Sequence, residues 1–148
     1  MLTFAKNLLV IDFNFIDVPP IENDTPLLDW LLKVAESESY SVAALSYIFC
    51  NDQYLLELNQ SYLSHDTFTD IITFDYVEGT IISGDIFISV DRLEENAAIF
   101  KVSFEEERLR VMAHGLLHLM GYKDKTAEDQ LVMSIKENEK IKMFHVEQ

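Results

Sequence analysis

Segments with the period of a strand alternate with segments with the period of a helix along the 148 residues, and this alternation most constrains the fold. Apolar residues recur at every second position in the strand-like segments and at every third or fourth position in the helix-like segments. The pattern predicts strands over 10–15, 43–49, 70–76 and 81–89, and helices over 26–36, 52–62, 91–100, 103–120 and from 126 onward. This mixture predicts one α/β (α+β) domain over residues 1–148, with a small mixed β-sheet packed with about five helices.

Local signals mark the ends of several predicted helices. The segment Asp24-Thr25-Pro26 has a capping side chain followed by a proline at the first helical position, and Asp52 is placed to cap the second helix. Ser103 and Glu106 have the spacing of a capping box, and Gly121 fits the position just past the end of a helix. The segment from Ser103 to Gly121 is therefore predicted to be a helix with a defined start and a defined stop.

Two segments carry finer packing predictions. Gly84, inside the fourth predicted strand, indicates a bulge or a close approach of another backbone. In the last helix, Leu131, Met133, Ile135 and Ile141 are predicted to be apolar positions of an amphipathic helix.

The composition permits a full hydrophobic core without a disulfide. Hydrophobic residues make up 49% of the chain, with 4 glycines and 3 prolines. The single cysteine, Cys50, has no intramolecular partner, which fits a reducing compartment, and its alternating apolar surroundings predict burial. No apolar run approaches the ~20 residues that cross a bilayer. We expect a cytoplasmic protein that has no membrane partner.

The charge is strongly negative but unevenly distributed. The formal net charge of −15 opposes binding to nucleic acid. Residues 1–91 hold 2 basic and 15 acidic side chains, whereas residues 92–148 hold 9 basic and 11 acidic ones, including all 3 arginines. The charge of residues 92–148, which hold most of the histidines, is therefore nearly balanced, and it does not exclude an RNA partner.

His114 and His118 are the centre of the most informative motif. They are four residues apart on the predicted helix, so both imidazoles face the same ion from successive turns, as in a zincin-like helix. Gly121 then breaks the helix, and Asp124 follows within reach of the same ion. A single histidine on an apolar helix is usually a core residue, but this set favours a metal. Three protein ligands with an open fourth position predict one catalytic Zn²⁺, although other divalent transition metals suit the same ligands.

The position after the first histidine argues against a peptidase. Zinc proteases of the His-Glu-x-x-His type carry their general base there, and this chain has Gly115. The other histidines are given no role, because His65 falls in a polar loop and His145 lies near the end of the chain.

Residues 114–122 match the signature His-Gly-x-Leu-His-Leu-x-Gly-Tyr of the YbeY endoribonucleases. Residues 58–59, 69–74 and 84–86 resemble, in the same order, the Leu-Asn, Thr-Asp-Val-Leu-Ser-Phe and Gly-Asp-Ile segments of that family. The resemblance implies a zinc-dependent, single-strand-specific endoribonuclease. It also implies a role in maturation of the 3′ end of small-subunit ribosomal RNA and in ribosome quality control. Single-stranded RNA and ribosomal RNA or the small ribosomal subunit are then the expected partners, and DNA is not.

Asp124 departs from the family pattern, in which the third ligand is a histidine. An aspartate oxygen is a competent zinc ligand, so the metal role is carried over. Two neutral histidines and one carboxylate leave the site at a formal charge of about +1, where three histidines leave about +2. A less positive ion acidifies its bound water less, which predicts full activity at a higher pH than in a three-histidine relative.

Leu63 is the second departure, because the family commonly has at that position an arginine that is thought to help handle RNA. A leucine cannot contact phosphate. Arg110, one turn before His114, and Lys123, beside Asp124, are the candidates for this contact, and ordinary surface charges are the alternative.

No general base is identifiable from the sequence. Asp70 and Asp85 lie in segments that match the family, where a turn or capping role is equally consistent. The alternative function is a ribosome-associated assembly factor with a structural metal and weak or no nuclease activity, for which Leu63 and the acidic surface leave room. A zinc peptidase with an unusual base is less favoured.

Overall fold

The computed structural model describes residues 10–63 and 69–147, so the predicted loop around His65 lies outside the described residues. Within them, four strands form one mixed sheet in the order β1-β2-β4-β3: β1 (Ile11–Phe15), β2 (Ser41–Cys50), β3 (Ile71–Asp75) and β4 (Ile81–Ser89). Strands β1, β2 and β4 run parallel, and β3 pairs antiparallel with β4. The same residues form five helices: α1 (Thr25–Ser37), α2 (Asp52–Leu63), α3 (Val90–Phe100), α4 (Phe104–Leu119) and α5 (Ala127–Glu147). The predicted α/β class is confirmed.

The sheet buries both of its faces, one much more extensively than the other. Leu45, Tyr47 and Phe49 alternate along β2 into the main core, which they share with α1, α4 and α5. The opposite face is covered by α2 over a small cluster that includes Cys50 and Leu55. Cys50 is fully buried, as predicted, and burial raises the pKa of its thiol to about 12.

Two glycines allow close packing around β4. A Cβ atom at Gly84 would lie 2.7 Å from the carbonyl oxygen of Phe74, which confirms the predicted close approach. The irregularity in strand pairing lies in β2 instead, between Val42 and Ala44. A Cβ atom at Gly115 would lie 2.9 Å from Ile71 Cδ1 and 3.0 Å from Ile86 Cγ2. Position 115 therefore faces the sheet, so a glutamate there would be buried in the core.

The predicted side-chain caps at Asp24 and Asp52 are wrong. Asp24 has a helical backbone conformation, and its side chain makes no capping hydrogen bond. The side chain that caps α2 is that of Asn51, whose Oδ1 accepts a hydrogen bond from the backbone N–H of Tyr54 at 2.8 Å. Asp52 is the first helical residue, and its carboxylate accepts hydrogen bonds from Arg92 instead.

The prediction for the last helix is correct for only half of its apolar residues. Met133 and Ile141 are buried in the core, whereas Leu131 and Ile135 are 62% and 57% exposed. The buried face of α5 instead includes Glu137 and Lys140, two charged residues that the apolar pattern did not indicate. Neither α5, with its 21 residues, nor any other described helix is long and apolar enough to cross a membrane.

Candidate metal centre

Helix α4 begins and ends where the sequence predicts. Ser103 Oγ accepts a hydrogen bond from the backbone N–H of Glu106 at 3.0 Å, which caps the start. At the other end Gly121 adopts a φ of +96°, and the backbone N–H of Tyr122 donates to the carbonyl of Leu117 at 3.0 Å. This reversal brings the residues after Gly121 back toward the last turn of the helix.

The reversal places Asp124 beside both histidines of α4. The Nε2 atoms of His114 and His118 lie 3.0 Å apart, and Asp124 Oδ2 lies 3.2 Å from the first and 3.1 Å from the second. Two ligands of a tetrahedral zinc ion with bonds of about 2.0–2.1 Å are separated by about 3.3 Å. The three predicted residues are therefore brought together, and both their spacing and their donor atoms fit a transition-metal ion.

The outer nitrogen of each imidazole is held by a hydrogen-bond acceptor. His114 Nδ1 lies 2.6 Å from Glu137 Oε2, and His118 Nδ1 lies 2.9 Å from the carbonyl oxygen of Tyr122. Because a carboxylate and a carbonyl only accept, Nδ1 carries the proton in both rings. With the proton on Nδ1, Nε2 of each ring can bind a metal ion, which is the tautomer that metal ligands need.

Glu137 is a site residue that the sequence analysis missed. It is 7% exposed on α5, and its second oxygen accepts a hydrogen bond from Arg110 Nη1 at 3.0 Å. Arg110 also donates to Asn138 Oδ1 at 2.7 Å. A carboxylate on the buried face of α5, four residues after Met133, was the available signal in the sequence.

The two candidates for phosphate contact are placed differently. Arg110 lines the cleft beside the histidines, with its guanidinium fixed on Glu137 and Asn138. Lys123 is exposed and makes no hydrogen bond or ion pair with any residue that the structure describes.

The cleft next to the three converging atoms has a volume of about 350 Å³ and an acidic lining. Asp70 and Glu107 line it together with His114, whereas Asp85 lies outside it, on β4 opposite Phe74. Burial raises the pKa of both Asp70 and Glu107. The nearby carboxylate of Glu137 also raises both pKa values, and that of Asp70 raises the pKa of Glu107. Burial lowers the pKa of His114, but its contact with Glu137 and the nearby Asp124 outweigh this and raise it.

A second set of contacts fixes the segment that carries the Tyr122 carbonyl. Tyr122 Oη donates to Glu38 at 2.7 Å, and Glu38 also accepts from Lys136 at 2.9 Å and from the buried Lys140 at 2.7 Å. Burial alone would raise the pKa of Glu38, but these three donors lower it to about 2. The support of His118 therefore extends from α4 to α1 and α5.

Comparison with known proteins shows the family of the chain. The family model described as Endoribonuclease YbeY matches residues 18–145. The protein of Flavobacterium johnsoniae named Endoribonuclease YbeY is 54% identical over 139 residues, which cover 94% of this chain and all of the relative. The protein of the same name from Flavobacterium psychrophilum is 53% identical, over 94% of this chain and 99% of the relative.

A solved structure shares the fold as well. The solution structure of TM1509 from Thermotoga maritima superimposes with a TM-score of 0.65 at 27% identity, and the match covers 91% of this chain and 90% of that protein. With a family model that matches most of its length and relatives that are more than half identical, the chain belongs to the Endoribonuclease YbeY family.

Proposed function

We propose that this protein is a metal-dependent endoribonuclease that cleaves single-stranded RNA in the cytoplasm. Its role would lie in maturation of the 3′ end of small-subunit ribosomal RNA and in ribosome quality control. The observation that carries the proposal is the convergence of His114 Nε2, His118 Nε2 and Asp124 Oδ2 within 3.2 Å of one another. The relatives, which are named endoribonucleases, support RNA as the substrate class.

His114, His118 and Asp124 would hold one ion, with Zn²⁺ the first candidate. Glu137 and the Tyr122 carbonyl support this assignment because they orient both imidazoles. When bound, such an ion lowers the pKa of a coordinated water and polarises a phosphoryl oxygen. The adjoining cleft leaves room for a substrate beside the ligands, whereas the ligand shell of a structural zinc is closed.

Asp70 is the best placed proton acceptor in the cleft. Glu107 is only 4% exposed, whereas Asp70 is half-buried and lines the cleft. Burial raises the pKa of Asp70, which makes its carboxylate a stronger base than that of an exposed aspartate. We therefore assign it the role of general base, and the D70N variant should retain its metal while cleavage slows by about 10²–10⁴-fold.

Arg110 and Lys123 remain the proposed phosphate contacts in place of the arginine that Leu63 replaces. Arg110 uses only part of its five donors on Glu137 and Asn138, so others stay available to a phosphate in the cleft. Because Arg110 also neutralises Glu137, removing it would disturb the metal site. K123A is therefore the cleaner test, and it should weaken RNA binding without a change in bound metal.

The alternative, a ribosome assembly factor with weak or no nuclease activity, has one observation in its favour. Asp70, Glu107 and Glu137 make the lining of the cleft predominantly acidic, and this repels a polyanion.

One experiment separates the nuclease, the assembly factor with a structural ion and the peptidase. Bound metal, thermal stability and cleavage are measured for the wild type and for H118A, with single-stranded RNA, duplex RNA and casein as substrates. Cleavage of the single strand alone by the wild type, lost together with the metal in H118A, supports the nuclease. An inactive wild type whose H118A variant unfolds supports a structural ion, and cleavage of casein supports a peptidase.

A further inference from the structure

A second cavity, of about 280 Å³, lies on another side of α4, and none of the residues lining it lines the metal cleft. It opens where parallel strands end. Phe15 is the last residue of β1, Phe49 is the next to last residue of β2, and Val90 directly follows β4. In open α/β sheets the crevice at the carboxyl ends of parallel strands is the usual place for a ligand.

The walls of this cavity are mainly apolar, and they include three aromatic rings and one cation. Phe15, Phe49 and Phe104 supply three rings, and the guanidinium of Arg108 lies 5.7 Å from the centre of the Phe104 ring. A planar apolar group would bury its surface well against such a lining.

Arg108 has no partner for its buried nitrogen. Its Nε is buried without a hydrogen-bond acceptor, and Arg108 forms no ion pair with any residue in 10–63 or 69–147. Burial also lowers the pKa of Arg108, because desolvation disfavours its charged form. Buried donors are nearly always paired in folded proteins, so an acceptor brought by a ligand would complete this one.

We propose that this cavity binds a small aromatic carboxylate, with its ring among Phe15, Phe49 and Phe104 and its carboxylate on the guanidinium of Arg108. A carboxylate matches the planar fork of arginine with two parallel hydrogen bonds. The volume lies just below the usual range for ligand sites, about 300–1,000 Å³, so one or two rings fit and a nucleotide does not. The proposal is independent of the nuclease activity.

Glu94 provides a second test of the proposal. Its exposed side chain lines the same cavity, and its negative charge opposes an anionic ligand. Substitutions at Arg108 and Glu94 should therefore change the affinity in opposite directions.

The test is a titration of the full-length protein with 2-naphthoate and with its neutral analogue 2-naphthalenemethanol, followed by calorimetry and by amide chemical shifts. We expect 2-naphthoate to bind at least about ten-fold more tightly and to shift the amides of Ile21, Val90 and Arg108. R108M should bring both ligands to the same affinity, and E94Q should strengthen the carboxylate alone. K142M, an exposed substitution on α5 with the same change in charge as R108M, should alter neither affinity.

Equal affinities for the two ligands in the wild type, or shifts confined to the surroundings of His114, would overturn the proposal. If R108M does not fold, E94Q still decides, because an unchanged affinity for 2-naphthoate in that variant contradicts an anion site.

An aromatic ring beside a carboxylate occurs both in free small acids and at the carboxyl end of a peptide that ends in phenylalanine. Acetyl-Gly-Gly-Phe and its carboxamide distinguish these sources: binding of the peptide acid assigns the site to chain ends, and failure of both peptides assigns it to free small acids.

Discussion

Arg108 and Arg110 lie two residues apart on α4, yet their guanidinium groups have very different surroundings. Arg110 points to the metal cleft and is held by Glu137 and Asn138 at 3.0 and 2.7 Å. Arg108 points to the second cavity, and its Nε has no partner among the described residues. On the cleft side of α4 the arginine is paired with the carboxylate that contacts His114, whereas on the other side the buried Nε of Arg108 has no hydrogen-bond acceptor among the described residues.

The largest effect on stability is expected from removing Arg110, and removal of Arg108 is the comparison. R110M leaves the buried Glu137 without its cation and should lower the free energy of unfolding by about 2–3 kcal/mol, less than for a fully buried pair because Arg110 is 34% exposed. R108M removes an unpaired buried donor and should stay within about 0.5 kcal/mol of the wild type. Urea unfolding monitored by circular dichroism measures both, and equal losses would show that the two arginines are equivalent.

The comparison is sharpened by Glu38, another charge that the fold fully pairs. Its pKa of about 2 lies below the usual value of 4.5, so its stabilising contribution is complete above pH 4.5 and is lost as the pH falls toward about 2. E38Q should therefore lower the free energy of unfolding by about 2 kcal/mol at pH 7 and flatten its decline between pH 4.5 and 2. If the free energy of unfolding of E38Q and of the wild type declined equally between pH 4.5 and 2, the pairing of Glu38 would be contradicted.

A smaller effect is expected at the outer contact of His114. E137Q keeps a hydrogen-bond acceptor but removes the charge beside Nδ1, and it should weaken zinc binding by about ten-fold to a hundred-fold. E128Q is the matched control, because Glu128 is an exposed glutamate on the same helix whose side chain makes no hydrogen bond or ion pair with a described residue. Competition with a chromophoric chelator measures both variants, and equal affinities would mean that Glu137 does not support the metal.

The smallest effect is expected at Asp124, the proposed ligand at which the chain departs from the family signature. D124H raises the formal charge of the site, so its bound water should lose a proton at lower pH. We expect the rising limb of the pH–rate profile for RNA cleavage to move down, by on the order of one pH unit or less. Superimposed profiles of D124H and the wild type would refute the idea.

Local features of the sequence predicted the site better than long-range ones. His114, His118 and Asp124 lie within a helix and the turn after it, so spacing and a helix-stopping glycine were enough to bring them together. Glu137 contacts His114 although it lies 23 residues later in the chain, and Glu38 supports His118 through Tyr122, which lies 84 residues after Glu38. The apolar periodicity of a sequence gives no information about contacts between residues so far apart. The capping prediction at Asp52 failed for a similar reason, since Arg92 competes for its carboxylate.

The central claim is that the convergence of His114, His118 and Asp124 holds the ion on which RNA cleavage depends. The most direct test is to titrate metal-stripped protein with Zn²⁺ while bound zinc and cleavage of single-stranded RNA are measured in the same samples. We predict that cleavage rises with zinc up to one equivalent, and that a folded D124A variant loses both in parallel. Full cleavage by the stripped protein, or full zinc binding by D124A, would contradict the claim.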